Sequence, residues 1–267
     1  MATASLFDEL ATEQDVNRRR LLFAAYRLQK NMRGCTKCQL RTGAKQVVSW
    51  VGPIPTRVAL VGEAPGYQED RQGEPFVGPA GELLNRLLFL AGLRREDVCI
   101  LNVVSCRPPG NRAPLPMEAA ACSDWFNQQL TLADPELVVA LGATALQKFR
   151  PGAKITVCAG TPFRALYAGQ LRAVFPILHP AAALHNRDNY TRLVRDFKAL
   201  GTLLANGVGN FWPGRRLYLY LNRQVLTPRG SGVLVQVFSD RVAVALSGQS
   251  KATFFYPEEI TVEGESA

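Results

Sequence analysis

The sequence predicts an α/β protein, with a central parallel sheet covered by helices on both faces and a small C-terminal all-β module. Two observations lead to this fold class. Between residues 57 and 205, short runs that are apolar throughout alternate with longer segments of helical periodicity, as in parallel sheets buried on both faces. Beyond residue 206 the helical period disappears and short strand patterns follow one another.

The elements of the larger region are predicted in chain order. Residues 5–33 are expected to form a first helix, because Leu21, Ala25 and Leu28 recur on one face. Apolar runs predict strands at 57–61, 98–104, 137–141 and 174–178. Helical periodicity predicts helices at 81–93, 117–132, 143–149 and 191–205.

A stretch rich in Gly, Asn and Pro, N-G-V-G-N-F-W-P-G at 206–214, interrupts regular structure. We therefore predict a main domain at 1–206, a linker at 207–214 and a β-barrel-like module at 215–267. The strands predicted in this module are 217–221, 232–238, 241–246 and 253–256. The candidate partners of this module are DNA and a replication or repair protein.

The chain is basic, with a formal net charge of +9 and an isoelectric point near 9.5. Such a balance favours a polyanionic partner, most simply nucleic acid. The first twenty residues lack the apolar core of a secretion signal, and no stretch reaches membrane-spanning length. We expect a monomeric, cytoplasmic, nucleoid-associated protein with no membrane partner.

Four cysteines form a candidate metal centre. Cys35 and Cys38 are spaced C-x2-C, and Cys106 and Cys122 lie far downstream. A site that used all four would join the N-terminal segment to the body of the fold. Four thiolates suit either tetrahedral zinc or a cubane iron–sulfur cluster.

Candidate binding residues follow the predicted strands. Glu63, Asn102 and His179 fall at or near carboxyl ends of strands, where open parallel sheets bind ligands. Glu69 and Phe76 lie in the loop after the first strand, which contains several glycines. That loop lacks the G-K-[ST] of a P-loop and the glycine spacing of a dinucleotide site. Its glycines allow the backbone to approach a flat ligand, and Phe76 offers a ring for stacking.

Several motifs of this region occur in a familiar order. They are G-E-A-P-G at 62–66, G-E-P-F-V-G-P-A-G-E-L-L at 73–84, L-N-V-V-S-C-R-P-P-G-N-R-A-P at 101–114 and H-P-A-A-A-L at 179–184. With the four cysteines, this set resembles the family 4 uracil-DNA glycosylases, the iron–sulfur branch of the uracil-DNA glycosylase superfamily. The resemblance covers roughly residues 30–205. It implies removal of uracil from single- and double-stranded DNA, and a [4Fe–4S] cluster on the four cysteines.

The resemblance also implies how uracil is bound. The base is flipped out of the stack and its Watson–Crick edge is read in a pocket. Asn102 would pair with O4 and N3–H, Phe76 would stack on the ring, and the backbone at Ala64 would contact the base. Glu69 would lie near C5, where it would crowd the methyl group of thymine.

Catalytic roles follow from the same resemblance. His179 would donate a hydrogen bond to O2 as negative charge develops on the leaving base. A carboxylate would orient the attacking water, and Glu63 is the first choice for it, with Glu69 the second.

Contacts to DNA are expected around the loop that ends at Leu184. Leu184 is a candidate wedge for the minor groove, and the alternative is that it packs in the core. His185 is also a candidate DNA contact. It lies where relatives commonly carry Arg, so Arg187 and Arg192 are candidates to strengthen the grip of this loop on phosphate. Arg112 lies in a second basic loop that would face DNA.

Two other classes of protein share some of these features. A non-catalytic iron–sulfur protein that binds single-stranded DNA would need none of Glu63, Asn102 and His179. A zinc-stapled nucleotide hydrolase would need His and Asp clusters, whereas the chain contains two histidines.

Overall fold

The computed structural model describes residues 16–167, 170–208, 224–237, 242–249, 252–255 and 261–262. Several predicted segments lie outside this part of the chain: residues 5–15 of the first helix, 209–214 of the linker and the strand at 217–221. No helix in the described ranges is both long and apolar enough to cross a membrane.

The described elements alternate helix and strand before residue 207. The helices are α1 Val16–Arg33, α2 Leu40–Gly43, α3 Tyr67–Gln72, α4 Pro79–Leu90, α5 Pro116–Ala121, α6 Ser123–Ala133, α7 Ala143–Phe149, α8 Ile155–Cys158 and α9 Arg187–Asn206. The strands are β1 Val58–Gly62, β2 Cys99–Asn102, β3 Leu137–Leu141, β4 Phe163–Tyr167, β5 Gln170–Ile177, β6 Gln224–Thr227, β7 Gly230–Val237, β8 Val242–Leu246, β9 Thr253–Phe255 and β10 Thr261–Val262. Short 3-10 turns occur at Arg95–Asp97, Pro109–Asn111 and Pro180–Ala183.

The larger sheet has the strand order β2-β1-β3-β5-β4. Strand β1 pairs in parallel with β2 and β3, and β3 pairs in parallel with β5. Every residue of β1, β2 and β3 is buried, which explains why these strands are apolar except for Asn102 at the end of β2. The prediction of a parallel α/β fold is confirmed.

The chain divides into two compact units. The first comprises Met1–Pro162 and Arg172–Thr202, and the second comprises Phe163–Leu171 and Leu203–Ala267. The second unit contains an antiparallel sheet of order β10-β6-β7-β8-β9, as the all-β prediction requires. Its apolar core consists of Val225, Leu234, Val242, Val244, Leu246 and Phe255. The boundaries proposed from the sequence at 206, 207–214 and 215 stay a prediction.

Two element boundaries differ from the sequence-based expectation for identifiable reasons. The predicted helix at 117–132 is two helices, α5 and α6, that meet at Cys122. Strand β5 begins well before the predicted residue 174, and it contains Arg172. Burial of this guanidinium is tolerated because it donates to the Pro135 carbonyl at 2.9 Å and to the Asp134 carboxylate at 3.1 Å.

Candidate active site

A cavity of about 560 Å³ opens at the carboxyl edge of the parallel sheet. The carboxyl ends of β1, β2, β3 and β5 all contribute to its walls. The predicted site residues that line it are Glu63, Ala64, Glu69, Phe76, Asn102, Arg112, His179 and Leu184. His185 and Arg187 do not line it, and both are exposed.

Asn102 lies at the floor of the cavity, as the last residue of β2. It pairs in register with Gly62 of β1 and is 4% exposed. A Cβ atom at residue 62 would overlap both the Asn102 side chain and the ring of Phe76, so glycine is required there. Among the described residues, the buried Oδ1 of Asn102 has no hydrogen-bond partner. An orphaned buried acceptor is costly, and a ligand that donates a hydrogen bond would satisfy it.

Phe76 forms a second wall of the cavity. Its backbone has φ of +54°, an uncommon conformation for a bulky residue, and its ring is buried. The Arg95 guanidinium fixes this backbone by donating to the carbonyls of Phe76 at 3.0 Å and Pro75 at 2.6 Å. Gly81 of α4 leaves room for the same Phe76 carbonyl. The tertiary structure therefore determines the orientation of the Phe76 ring.

The His179 ring stacks on Phe76, with ring centroids 5.5 Å apart and an interplanar angle of 29°. Its Nδ1 accepts a hydrogen bond from the Ala181 N–H at 3.2 Å. In the neutral ring the proton must therefore be on Nε2. Burial lowers the pKa of His179, although Glu63 and Glu69 act in the opposite direction. The structure thus favours a neutral imidazole with a donor at Nε2.

The two candidate carboxylates have different surroundings. Glu63 is half-buried and accepts a hydrogen bond from the hydroxyl of Thr144, in the first turn of α7. Thr144 was not predicted as a site residue, because a Thr in the first turn of a helix gives no distinctive signal in a sequence.

The Glu69 carboxylate is instead bound by three backbone N–H groups. Gly66 donates at 3.1 Å, Val77 at 2.9 Å and Gly78 at 2.8 Å. The first contact closes the start of α3, and the other two hold the loop that carries Phe76. The contacts of Glu69 are those of a residue that fixes the cavity wall.

Comparison with known proteins agrees with this geometry. The family model of the uracil DNA glycosylase superfamily matches residues 49–200. The chain belongs to this superfamily. Together with the relatives described next, this match confirms the resemblance noted from the motifs.

Three similar proteins are each named Type-4 uracil-DNA glycosylase. The protein of Thermotoga maritima is 44% identical over 167 residues, which are 62% of this chain and 85% of that protein. The protein of Archaeoglobus fulgidus is 39% identical over 182 residues, 65% of this chain and 90% of that protein. The protein of Sulfurisphaera tokodaii is 37% identical over 183 residues, 66% of this chain and 83% of that protein.

In this superfamily member, Arg112 forms an ion pair with Glu118 of the same chain. Its guanidinium donates to both oxygens of Glu118, at 2.7 and 2.8 Å. The Glu118 side chain is buried, and the hydrogen bonds from Arg112 lower the pKa of its carboxyl group. Arg112 is therefore oriented toward Glu118, which the sequence did not indicate. Leu184, in contrast, is 38% exposed and is not a core residue.

The four candidate metal ligands of the superfamily member surround a second, small cavity. Trp125 also lines it, and its indole N–H donates to Cys35 Sγ at 3.1 Å. In the described ranges, no group of three or more His, Cys, Asp or Glu side chains is arranged to hold a metal ion. Four thiols around one cavity are nevertheless the donor set that an iron–sulfur cluster requires. The residue types fit that group.

Proposed function

We propose that the protein is a uracil-DNA glycosylase that flips uracil out of DNA and hydrolyses its N-glycosidic bond. The observation that carries this proposal is the buried, unpaired Oδ1 of Asn102 beside the Phe76 ring. Uracil presents N3–H to that oxygen and O4 to the amide NH2. Cytosine presents an acceptor and a donor in the reverse order, which would leave buried groups unpaired at about 1–3 kcal/mol each.

Neutral His179 supports the bond-breaking step. As the C1′–N1 bond breaks, its electron pair moves to uracil and negative charge develops at O2. The Nε2–H of His179 is available to donate to that oxygen, and one preorganised donor of this kind contributes about 3–4 kcal/mol. The water that attacks C1′ gives its proton to a carboxylate, for which Glu63 has the more suitable surroundings.

Glu69 has a different role in this proposal. Its three backbone bonds fix the wall that faces the base, so that a thymine methyl group would meet a rigid obstacle. Arg187 and Leu184 remain proposed DNA contacts. The C-terminal sheet is a candidate contact for DNA or for a replication or repair protein.

The function is tested with the purified 267-residue chain on oligonucleotides that contain one uracil, single- and double-stranded. Alkali then breaks the strand at any abasic site. We expect cleavage at uracil and none at cytosine or thymine in the same position. Binding without cleavage in either substrate would instead support a non-catalytic DNA-binding protein.

The two carboxylates give a paired prediction. Glu63→Gln should slow single-turnover excision by roughly 100- to 10,000-fold, the usual effect of removing a general base. Its melting temperature should stay near wild type. Glu69→Gln should lower the free energy of unfolding by about 1–3 kcal/mol, because an amide NH2 cannot accept backbone hydrogen bonds. The opposite pattern, with excision lost only in the Glu69 variant, would reassign the water-orienting carboxylate.

We further propose that Cys35, Cys38, Cys106 and Cys122 hold a [4Fe–4S] cluster. Their shared cavity and the family 4 motifs support this assignment. When bound, the cluster supplies a structural cross-link between distant segments, because all four of its protein ligands are cysteines. The cysteines would join the region between α1 and α2 to the junction of α5 and α6.

The cluster assignment makes a prediction about metal content. Anaerobically purified protein should be brown and contain about four iron atoms per chain. Cys35→Ala and Cys122→Ala should bleach it and lower its melting temperature. Cys158→Ser, which changes a cysteine outside the small cavity, should leave colour and iron unchanged. Colourless wild-type protein with one zinc per chain would contradict the assignment.

A further inference from the structure

Tyr67, Arg71 and Arg107 form an arginine–tyrosine cluster beside the active-site cavity. Tyr67 lines the cavity and is 52% exposed, so it lies where the cavity meets solvent. The guanidinium carbon of Arg107 is 5.0 Å from the centroid of the Tyr67 ring, and that of Arg71 is 5.5 Å away. These distances are typical of cation–π contacts.

Each guanidinium is also oriented by a hydrogen bond. Arg71 donates to the Tyr67 hydroxyl at 3.2 Å, and Arg107 Nε donates to Asn111 Oδ1 at 2.7 Å. Within the described ranges, neither guanidinium forms an ion pair with a carboxylate. Both charges are therefore held in place without being neutralised, in contrast to Arg112.

The backbone around the cluster is fixed relative to the base-binding residues. Tyr67 is the first residue of α3, directly after Gly66, whose N–H is bound by Glu69. Arg107 directly precedes Pro108, which lines the cavity. Asn111, which accepts the hydrogen bond from Arg107, lines the cavity too. A nucleotide whose base enters the cavity leaves its phosphates at the opening, next to these two charges.

We propose that Arg107 and Arg71, oriented by Tyr67, bind the DNA phosphates next to the flipped nucleotide. The planar guanidinium donates several hydrogen bonds and matches phosphate geometry. Because the ring and Asn111 already orient the side chains, less conformational entropy is lost on binding. This assignment rests on the proposed function, since it takes a DNA strand as the ligand.

The test measures binding separately from excision. Fluorescence anisotropy of the full chain with uracil-free single-stranded and duplex DNA, at several salt concentrations, gives Kd and its salt dependence. Arg107→Gln and Arg71→Gln should each weaken binding severalfold. Each lost phosphate contact should reduce the slope of log Kd against log salt by about 0.7 for single strands and 0.9 for duplex.

Arg57→Gln is the control for the loss of one positive charge, and within the part of the chain that the structure describes its guanidinium, unlike those of Arg71 and Arg107, forms an exposed ion pair with Glu136 at 3.4 Å. It removes the same charge just before β1, at the amino edge of the sheet and so away from the cavity. Its salt slope should equal that of wild type. If Arg107→Gln and Arg71→Gln behave like Arg57→Gln, the proposal is wrong.

Variants of Tyr67 test the orienting role without a change of charge. Tyr67→Leu should weaken DNA binding because it removes the ring that positions both guanidiniums. Tyr67→Phe keeps the ring and loses only the hydroxyl that accepts from Arg71, so it should weaken binding less than Tyr67→Leu. Equal affinity of the Leu and Phe variants would overturn this part. Thermal unfolding identifies any variant that fails to fold, and the other substitutions then decide.

The outcomes also separate this inference from the proposed function. Binding that depends on Arg107 without any uracil excision would overturn the function and retain the phosphate site. If the wild-type protein excises uracil but the Arg107 and Arg71 variants keep the wild-type salt dependence of Kd, only the phosphate site is overturned.

Discussion

Replacing Asn102 by Asp should reduce uracil excision by roughly 100- to 1000-fold, because a buried hydrogen-bond donor is lost and a repulsion is gained. In the proposed complex the amide NH2 of Asn102 would face uracil O4, and its unpaired Oδ1 would face N3–H. Aspartate keeps the acceptor and places a second negatively charged oxygen against O4. The shape of the side chain is unchanged, so the fold should persist.

Single-turnover assays on uracil-containing oligonucleotides measure this effect. Asn31→Asp, an identical change on the exposed surface of α1, is the control and should excise uracil at the wild-type rate. Affinity for uracil-free DNA should be the same in all three proteins. Nearly normal excision by the Asn102 variant would show that this residue does not read the base.

The second large effect is expected for His179→Ala, which should slow the chemical step by about 100- to 1000-fold. The variant loses the Nε2 donor that we propose stabilises negative charge on uracil O2. DNA affinity should change far less, because phosphate contacts provide most of it. The loss should be equal for single-stranded and duplex uracil, since flipping is easy in a single strand. A loss confined to duplex DNA would make His179 part of the flipping loop, and an unaffected chemical step in both would exclude the leaving-group role.

The lowered pKa of His179 adds a test of its protonation state. A neutral imidazole needs no proton from solvent, and burial disfavours the charged ring. The wild-type rate should therefore not rise as the pH falls from about 8 to about 6.5, the ordinary pKa of histidine. An imidazolium acid would become more active over the same interval.

The sequence was informative where one local pattern decides the structure. Five consecutive apolar residues predicted β3 with its observed bounds, and the following helix pattern predicted α7. The convergence of Glu63, Asn102 and His179 could also be predicted. Parallel strands align their carboxyl ends, so residues that follow such strands meet at one edge.

The features that the sequence did not predict depend on contacts with residues that no local sequence pattern identifies. Glu69 was predicted in a loop, whereas it lies in the first turn of α3, and its bonds to Val77 and Gly78 depend on how the chain returns after that helix. Arg112 looked like a solvent-facing cation, and only the structure reveals the buried Glu118 beside it. The start of β5 was likewise predicted too late, because the sequence does not reveal the Pro135 and Asp134 partners that allow Arg172 to lie in a buried strand.

The parallel order of the larger sheet also has a consequence for how the enzyme is made. Glu63 and His179 are separated by more than a hundred residues, and they meet only after β5 has joined β3. Closing loops of this length is entropically costly and makes such topologies slow to fold. A chain truncated before β5 lacks His179, so it cannot complete the proposed active site even if β1, β2 and β3 have paired.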